Sequence, residues 1–495
     1  MESRAWLVRR AVLAIGLMIG FYLLAIAIAV GLLWIPYAEW KYVGRIHLKL
    51  TLGAVISGLT VLWAIVPRVD KFDPPGPQLD RASAPKLFAM IDEVAGKTKQ
   101  EPPSEVYVVN EVNAWVTQRG GVMGFGGRRV MGIGVPLLQG LSQREVKAIV
   151  GHEFGHYAAG DVSLGPWIYK TRAAIGRALQ GVHGTLLEKP FDWYGHMFLK
   201  LTHSVSRQQE FVADRIGAEV GGVASMASAL RRVEALGTAF AKFHYGELLP
   251  VLRAGFIPPV AAGFADYLRL TAAEPTNEPT ESAVEQTANE YDTHPPLHER
   301  LAALAALDAR RASDPSADAP ALELLPDLEK HTTALFAFLS AKAGEPLKPI
   351  AWDAVAKQVY LPQFRQNAQS LAKWLSQFTV DALPAGRAAW AKVGSQLLDG
   401  DEYYLEEDAR VARAIQGAGI GLTVLLLDHE WHLTTGLGQP ISLEKSGVRI
   451  EPFQTMADLV DGSMDHAEWK ARCSVYGIAG QKLGPRQAAG VNVVT

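Results

Sequence analysis

The chain has 495 residues, with 48 Lys and Arg, 51 Asp and Glu and a single cysteine. This length is sufficient for two or three domains with a large core. Charges of both signs that sum to −3 argue against nucleic acid as the main partner. The one cysteine, Cys473, excludes an intramolecular disulfide framework.

Two apolar segments near the N-terminus predict a membrane anchor. Residues 11–38 contain no charged side chain and are long enough to cross a bilayer. The segment is too long for the core of a signal peptide and lacks a clear cleavage site, so we expect it to be retained. Residues 50–67 form a second apolar run that is just long enough to span, with a buried core helix as the alternative.

The basic residues beside these segments predict their orientation, because Lys and Arg accumulate on the cytoplasmic side of a membrane. They favour both ends of the hairpin inside the cell, and they predict a multi-pass protein of the inner membrane whose residues after the second segment lie in the cytoplasm. The residues are Arg4, Arg9 and Arg10 before the first segment, Lys41, Arg45 and Lys49 in the loop, and Arg68, Lys71, Arg81 and Lys86 after the second.

A Pro/Gly linker at residues 71–80 follows the predicted hairpin. Beyond it the patterns predict a helix from 83 to about 95, a strand at 105–109, and a glycine-rich hairpin whose second strand lies near 130–135. A strand beside the helix that follows in the chain could pair with the backbone of an extended peptide.

Residues 141–161 predict a helix with both ends marked. Ser142 is a good N-cap, Glu145 completes a capping box, and Gly160 suits the C-terminal end. On this helix His152 and His156 are four residues apart and project from one face.

Two imidazoles in this relation can bind one Zn²⁺, and Glu153 lies where a carboxylate can accept a proton from metal-bound water. The alternative is a helix whose histidines are ordinary polar residues. A third ligand should come from downstream, and Glu210 is the best candidate. Asp214, one turn further, could accept the free N–H of a ligand histidine; the alternative for these two acids is a solvated helix face with an Arg207–Glu210 pair.

Three motifs in this order resemble the membrane zinc endopeptidases of the HtpX and CAAX-prenyl protease type. They are HEFGH at 152–156, SRQQEFVAD at 206–214 and THPPLHER at 293–300. The resemblance covers about 106–307 and the two preceding apolar segments. It implies a zincin-type lobe in which Glu210 is the third zinc ligand.

The same resemblance implies roles for four further residues. Asn113 and Ala114 would belong to a segment that contacts the substrate. His294 and Arg300 would lie near the active site, where they would stabilise the tetrahedral oxyanion or the substrate. The alternatives are a loop histidine for His294 and a surface ion pair with Glu299 for Arg300.

The segments 191–205 and 239–268 are too short or too interrupted by charge and proline to predict further spans, so we expect amphipathic or membrane-skimming helices. HtpX-like proteins have more spans at this point. Residues 271–292 are acidic and contain no Lys or Arg, which predicts a mobile loop.

An Ala/Asp/Pro-rich stretch at 309–326 predicts a domain boundary. Beyond it we expect helices at 327–342 and 355–378 and strands at 421–427 and 448–452. The motif from His429 to His432 has a spacing one residue short for a helical zinc pair, and on a strand the two imidazoles would point to opposite faces. A core or surface role is therefore predicted for both.

The sequence thus predicts an α+β, mainly helical fold with a transmembrane hairpin at 1–70, a zinc metallopeptidase domain at 71–308 and a C-terminal α+β domain of unknown role at 327–495. The predicted function is a membrane-anchored, gluzincin-type zinc endopeptidase that acts on peptides or proteins, with membrane proteins among the expected substrates. One alternative is a membrane quality-control or assembly factor that has a latent or silent zinc site and acts through its C-terminal module. A purely structural metal site is another.

Overall fold

The computed structural model describes residues 4–66, 72–120, 127–158, 165–272, 295–307, 318–344, 346–397 and 406–485. Its contacts divide the chain into two compact units, 1–240 with 275–343 and 241–274 with 344–495. This division differs from the predicted domain limits in two places. Residues 241–274 belong to the second unit and residues 327–343 to the first. The predicted limits of the functional domains stay a prediction.

The N-terminal apolar helices form a contacting pair. Helices α1 (Arg4–Ala38) and α2 (Leu48–Ile65) are joined through a π-helical turn at Glu39–Val43. The carboxylate of Glu39 accepts hydrogen bonds from Thr51 Oγ1 at 2.6 Å and from His47 Nδ1 at 2.8 Å, and so joins the π-helical turn to the start of α2. Both helices are long and apolar enough to cross a membrane, as predicted.

Two later helices pack on this pair. Helix α6 (Gly165–Gly181) donates two hydrogen bonds from Arg177 to the carbonyl of Ala64 at the end of α2. Helix α7 (Glu188–Gly221) donates one from Tyr194 Oη to the carbonyl of Leu17 at 2.6 Å. The shared apolar core contains Phe21, Ala25 and Ala29 of α1, Val61 of α2, Ile175 and Ala178 of α6, and Phe191 and Phe198 of α7.

Helix α7 has 34 residues and therefore extends for about 50 Å. Its N-terminal half packs on the apolar pair, and its C-terminal half carries Glu210 and Asp214. The predicted helix at 191–205 is confirmed as part of α7, and whether it touches a bilayer stays a prediction.

A three-stranded sheet stands beside these helices. Strands β1 (Glu105–Val109) and β3 (Arg128–Gly134) are parallel, and β2 (Ala114–Arg119) runs antiparallel to β3, in the order β1-β3-β2. The strands predicted near 105–109 and 130–135 are confirmed. In the ranges that the structure describes, β2 pairs with β3 alone, so its outer edge faces away from the sheet.

The remaining helices of the first unit cover the sheet and the helix that carries His152 and His156. Helix α3 (Pro85–Thr98) buries Leu87, Ile91 and Val94, as predicted. The others are α4 (Val135–Gly140), α5 (Gln143–Ala158), α8 (Val223–Lys242), which ends across the limit of the unit, α11 (Leu297–Ala305) and α12 (Leu328–Ala343), with a 3₁₀ turn at Ala321–Leu324.

Helices α5 and α7 make the most extensive contact between described helices of this unit. A Cβ atom added to Gly155 would lie 2.8 Å from the Cα of Ala213, and one added to Gly217 would lie 2.7 Å from the carbonyl oxygen of Ala148. These distances leave no room for a larger side chain, so the glycines allow the two backbones to approach.

The second unit is mainly helical, with two small sheets. Strands β4 (Phe256–Ile257) and β5 (Lys348–Pro349) are parallel, and β6 (His432–Thr434), β7 (Ser442–Lys445) and β8 (Val448–Ile450) form an antiparallel sheet in that order. Its elements are a π-helical turn at Phe243–Leu248, α9 (Leu249–Arg253), β4 (Phe256–Ile257), α10 (Val260–Ala272), β5 (Lys348–Pro349), α13 (Trp352–Val355), a π-helical turn at Ala356–Tyr360, α14 (Leu361–Ser370), α15 (Ala372–Leu375), α16 (Arg387–Gly394), a 3₁₀ turn at Ser395–Leu397, α17 (Glu407–Leu427), β6 (His432–Thr434), β7 (Ser442–Lys445), β8 (Val448–Ile450), α18 (Pro452–Asp461) and α19 (His466–Val475).

The strand predicted at 421–427 is wrong, because these residues form the end of α17. A short apolar run has the same composition in a buried helix and in a buried strand. Cβ atoms added to Gly417, Gly419 and Gly421 would meet the side chains of Trp374, Phe453 and Leu375, so α17 is packed on several sides. It is the third described helix that is long and apolar enough to span, but 67% of its apolar window is buried inside the protein, against 22% in α1 and 28% in α2. We therefore assign it to the core.

The other predictions for this unit concern one helix, one strand and two histidines, and only the helix differs from the structure. The helix predicted at 355–378 is interrupted by the π-helical turn and at Leu371, which leaves helical geometry at ψ 2°. The strand near 448 is confirmed as β8. His429 Nε2 lies 2.8 Å from Gln481 Oε1, and His432 is exposed in β6, in agreement with the predicted core or surface roles.

Candidate metal centre

The start of helix α5 is fixed by side chains. Ser142 N–H donates to Glu145 Oε2 at 2.8 Å and Glu145 N–H donates to Ser142 Oγ at 3.2 Å, so the predicted capping box is confirmed. The buried Glu145 also accepts hydrogen bonds from Ser228 at 2.6 Å and Arg232 at 2.9 Å on α8. This network fixes the first turn of the helix that carries both histidines.

Two turns later, His152 and His156 meet Glu210 of α7. Glu210 Oε2 lies 3.6 Å from His152 Nε2, and Glu210 Oε1 lies 3.7 Å from His156 Nε2. The two imidazole rings are 4.8 Å apart between centroids and nearly perpendicular, at 86°. The structure therefore brings the three predicted ligands together.

The spacing of these atoms fits a tetrahedral ion. Two ligand atoms about 2.1 Å from a tetrahedral Zn²⁺ are separated by roughly 3.4 Å. The distances of 3.6 and 3.7 Å, which run to the two different oxygens of Glu210, are close to this value. One ligand atom from each residue lies within 4.8 Å of the others, so this His-His-Glu cluster could hold a metal ion.

Asp214 and Arg300 support the cluster from behind. Asp214 Oδ1 lies 2.9 Å from His152 Nδ1, the nitrogen that points away from Glu210. Arg300 of α11 donates to both oxygens of Asp214, from Nε at 2.8 Å and from Nη2 at 2.5 Å, and its Nη2 is 3.4 Å from Glu210 Oε2. Arg300 therefore forms a bidentate ion pair with Asp214 beside the histidines. It does not lie at the surface, as the alternative interpretation of an ion pair with Glu299 would require.

This pairing sets the protonation state of Asp214. Burial by itself would raise the pKa of Asp214, but the hydrogen bonds from Arg300 and the close approach of the His152 imidazole lower the pKa below its ordinary value. Burial likewise opposes the charge of Arg300, yet its pKa is raised because Asp214, Glu210 and Glu153 lie close. The carboxylate and the guanidinium therefore both stay charged at neutral pH.

Glu153 and Tyr157 lie on the more accessible side of α5. Both side chains are partly exposed. The ring of Tyr157 packs under the guanidinium of Arg129 at 4.3 Å, and its hydroxyl group hydrogen-bonds with Thr117 of β2. Burial raises the pKa of Tyr157 to about 12, so the phenol stays neutral. Tyr157 thus ties the end of the histidine helix to the edge strand.

The other predicted residues lie at or beyond this edge. Ala114 is the buried first residue of β2, and Asn113 just before it is exposed and accepts a hydrogen bond at its carbonyl from Gly134 N–H at 2.9 Å. Contact of these two with a substrate stays a prediction. His294 lies outside the described residues, as do most of 271–292.

Sequence reasoning missed the residues that hold the site in place. No motif identifies Arg232 as a partner of Glu145 or Tyr157 as the link to β2, because both contacts join elements that are far apart in the sequence. The glycines at 217 and 221 give a partial signal, since small residues one turn apart on a helix favour close packing.

The segment around this cluster matches a known family. Residues 81–308 match the family model described as Peptidase family M48. The segment is similar to this family, and we name it the M48 domain. The predicted resemblance to HtpX-type membrane metalloproteases is thereby confirmed.

Three similar proteins are each named protease HtpX homolog. The protein from Methylibium petroleiphilum is 26% identical over 176 residues, which are 32% of this chain and 59% of that protein. The one from Paraburkholderia phytofirmans is 24% identical over 46% of this chain and 75% of its own length. The one from Thiobacillus denitrificans is 27% identical over 42% of this chain and 66% of its own length.

The match spans 59% of the first of these relatives. The residues after 308 lie outside the M48 family match. No solved structure matches the chain.

The predicted role of Asp214 gives a first expected outcome. Asp214→Asn removes the charge that faces His152 Nδ1, so we expect the affinity of the M48 domain for zinc to fall about 10- to 100-fold. The zinc dissociation constant of the detergent-solubilised chain, measured by competition with a fluorescent chelator, checks this.

Asp92→Asn is the matched control, because Asp92 also accepts two hydrogen bonds from one arginine, Arg81, at 2.7 and 3.0 Å, but does so in an exposed pair. A zinc affinity equal in the two variants would contradict the role of Asp214. Circular dichroism of both variants separates a loss of zinc binding from a loss of folding.

Proposed function

We propose that this chain is a membrane-anchored zinc endopeptidase in which His152, His156 and Glu210 hold the ion. The observation that carries the proposal is the convergence of these three ligand atoms from two helices within 4.8 Å. A set of three protein ligands leaves a fourth tetrahedral position for water, as in catalytic zinc sites. The M48 family match and the HtpX-named relatives support the same activity.

The bound ion would supply Lewis-acid activation of a water molecule and of the peptide carbonyl. Glu153 follows His152 directly, and its carboxylate would accept the proton of the attacking water and then donate it to the nitrogen of the departing amine. Its partly exposed position is consistent with this role, because the base must reach both water and substrate.

Arg300 is proposed as a positioning residue. Its guanidinium is bound to both oxygens of Asp214, and Asp214 faces the ring nitrogen of His152 that does not point to Glu210. Arg300 would therefore orient the ligand histidine and Glu210. This role does not require Arg300 to donate a hydrogen bond to the substrate. The proposal that His294 stabilises the oxyanion rests on the family resemblance alone.

The edge strand β2 is proposed as the substrate platform. Its outer edge begins at Asn113 and Ala114 and runs beside α5, to which Tyr157 ties it. An extended peptide could add to this edge through backbone hydrogen bonds, independently of its sequence. This favours unfolded protein segments as the substrate class.

A single substitution tests the enzymatic mechanism. Glu153→Gln keeps the shape of the side chain but removes the base, so hydrolysis of casein should fall by at least about 100-fold while zinc content is unchanged. Zinc is measured by mass spectrometry, and activity is measured with and without a chelator.

Glu219→Gln is the control, because Glu219 lies on α7 in an exposed pair with Arg215 at 3.7 Å. Full casein hydrolysis by Glu153→Gln would sink the mechanism. A wild-type chain that binds zinc but cleaves neither casein nor an unfolded membrane protein would favour the quality-control alternative.

We also propose that the M48 domain faces the cytoplasm, on the basis of the distribution of Lys and Arg around α1 and α2. The only cysteine, Cys473, is fully buried, so the chain has a low background for thiol labelling. Arg45→Cys in the hairpin loop and Glu101→Cys in the first unit both replace exposed residues.

In intact expressing cells, a membrane-impermeant maleimide should label the Arg45→Cys variant at once. It should label the Glu101→Cys variant only after permeabilisation. The wild-type chain is the control for background labelling. Labelling of Glu101→Cys in intact cells, with Arg45→Cys protected, would reverse the proposed orientation.

A further inference from the structure

The second unit contains a pocket that the M48 assignment does not explain. Its cavity volume is about 430 Å³, within the range of small-molecule sites. Its wall combines the π-helical turn that contains Glu247, helix α10, the start of α13, and the turn between β6 and β7. The charged and aromatic side chains that line it are Glu247, Asp266, Arg269, Trp352, Asp353 and Tyr360.

The charge of this wall is negative, with three carboxylates against one guanidinium. Arg269 is already paired with Asp266, three residues earlier on α10. Asp353 has no ion-pair partner among the described residues, and it is exposed at the start of α13. Two carboxylates, Glu247 and Asp353, are thus left to face a ligand.

Glu247 is held in place at the pocket wall. Its Oε1 accepts a hydrogen bond from Gly438 N–H at 3.1 Å. Burial raises the pKa of Glu247 despite this hydrogen bond, because its charge is poorly solvated. A cation in the pocket would supply the missing stabilisation of that charge.

The aromatic part of the wall is rigid. Trp352 Nε1 donates to the carbonyl of Pro259 at 2.9 Å, and the indole packs on Gly263, where a Cβ atom would lie 2.3 Å from Nε1. Burial and the nearby Glu247 raise the pKa of Tyr360, so its phenol stays neutral. Indole and phenol rings attract cations through their faces, and Trp does so most strongly.

Two π-helical turns supply residues to this pocket. Phe243–Leu248 contributes Glu247, and Ala356–Tyr360 contributes Tyr360. Such turns are rare, and they occur frequently at functional sites because the extra residue redirects side chains. Both π-helical turns of the second unit's described residues therefore line the same pocket.

We propose that this pocket binds an organic cation, an ammonium or guanidinium group on an aliphatic stem. Glu247 and Asp353 would pair with the charge, and Trp352 would cover it with its ring. The apolar lining residues Leu270, Val355 and Leu437 would contact the stem. A free polyamine and a basic side chain of a peptide share this chemistry.

Isothermal titration calorimetry on the full-length chain in detergent micelles tests the proposal. The probes are N-acetyl-lysine methylamide, its Nε-acetylated form, which lacks the charge, and spermidine. We expect saturable binding of a charged probe and at least about tenfold weaker binding of the acetylated form. Asp353→Asn and Glu247→Gln should each weaken the binding about three- to tenfold, and Glu407→Gln, at an exposed acid of the same unit, should leave it unchanged.

Binding of the lysine derivative would identify a basic side chain as the source of the cation, and binding of spermidine alone would identify a free polyamine. The proposal is overturned if neither charged probe binds saturably, if the acetylated form binds equally well, or if both Asp353→Asn and Glu247→Gln bind like the wild type. The glutamine at 247 can still accept the hydrogen bond from Gly438, so this variant keeps the local fold.

Discussion

The close approach of α5 and α7 is the constraint on which the metal centre depends. An imidazole and a carboxylate are short side chains, so they can share an ion only if their helix backbones are near each other. Gly155 against Ala213 and Gly217 against Ala148 provide this, since a Cβ atom on either glycine would collide with the opposite backbone. Helix α7 also packs on the apolar hairpin through Tyr194, so one rigid helix joins the hairpin to the ligand Glu210, about 24 Å further along its axis.

Charge balance around the cluster explains why a cation belongs there. Glu210 and Asp214 are both buried, and the single positive charge of Arg300 lies within 3.4 Å of a carboxylate oxygen of each. A buried excess of negative charge is costly unless it is paired or coordinates a metal. A divalent ion between His152, His156 and Glu210 would offset it, while Asp214 would keep the proton of His152 on the nitrogen that faces away from the ion.

Much of this site could be predicted from sequence because its signals are local. The capping box at Ser142, the four-residue spacing of His152 and His156, and the length of the apolar segments each follow from the geometry of a single helix. The residues themselves offered Glu210 as a candidate, but only the family resemblance favoured a ligand over a solvated acidic face, because no local rule states which distant acid will face the histidines. Two features could not be predicted from the sequence. The helix α17 was mistaken for a strand at 421–427, since a buried apolar run carries no period, and the pocket around Glu247 is assembled from segments about 190 residues apart.

The central claim is that three side chains from two helices bind one ion, and a zinc-edge anomalous difference map from crystals of the zinc-loaded chain tests it most directly. The account predicts one strong peak about 2.0–2.2 Å from Nε2 of His152, Nε2 of His156 and one carboxylate oxygen of Glu210. A peak elsewhere, or one bound by the two histidines with Glu210 turned away, would contradict it.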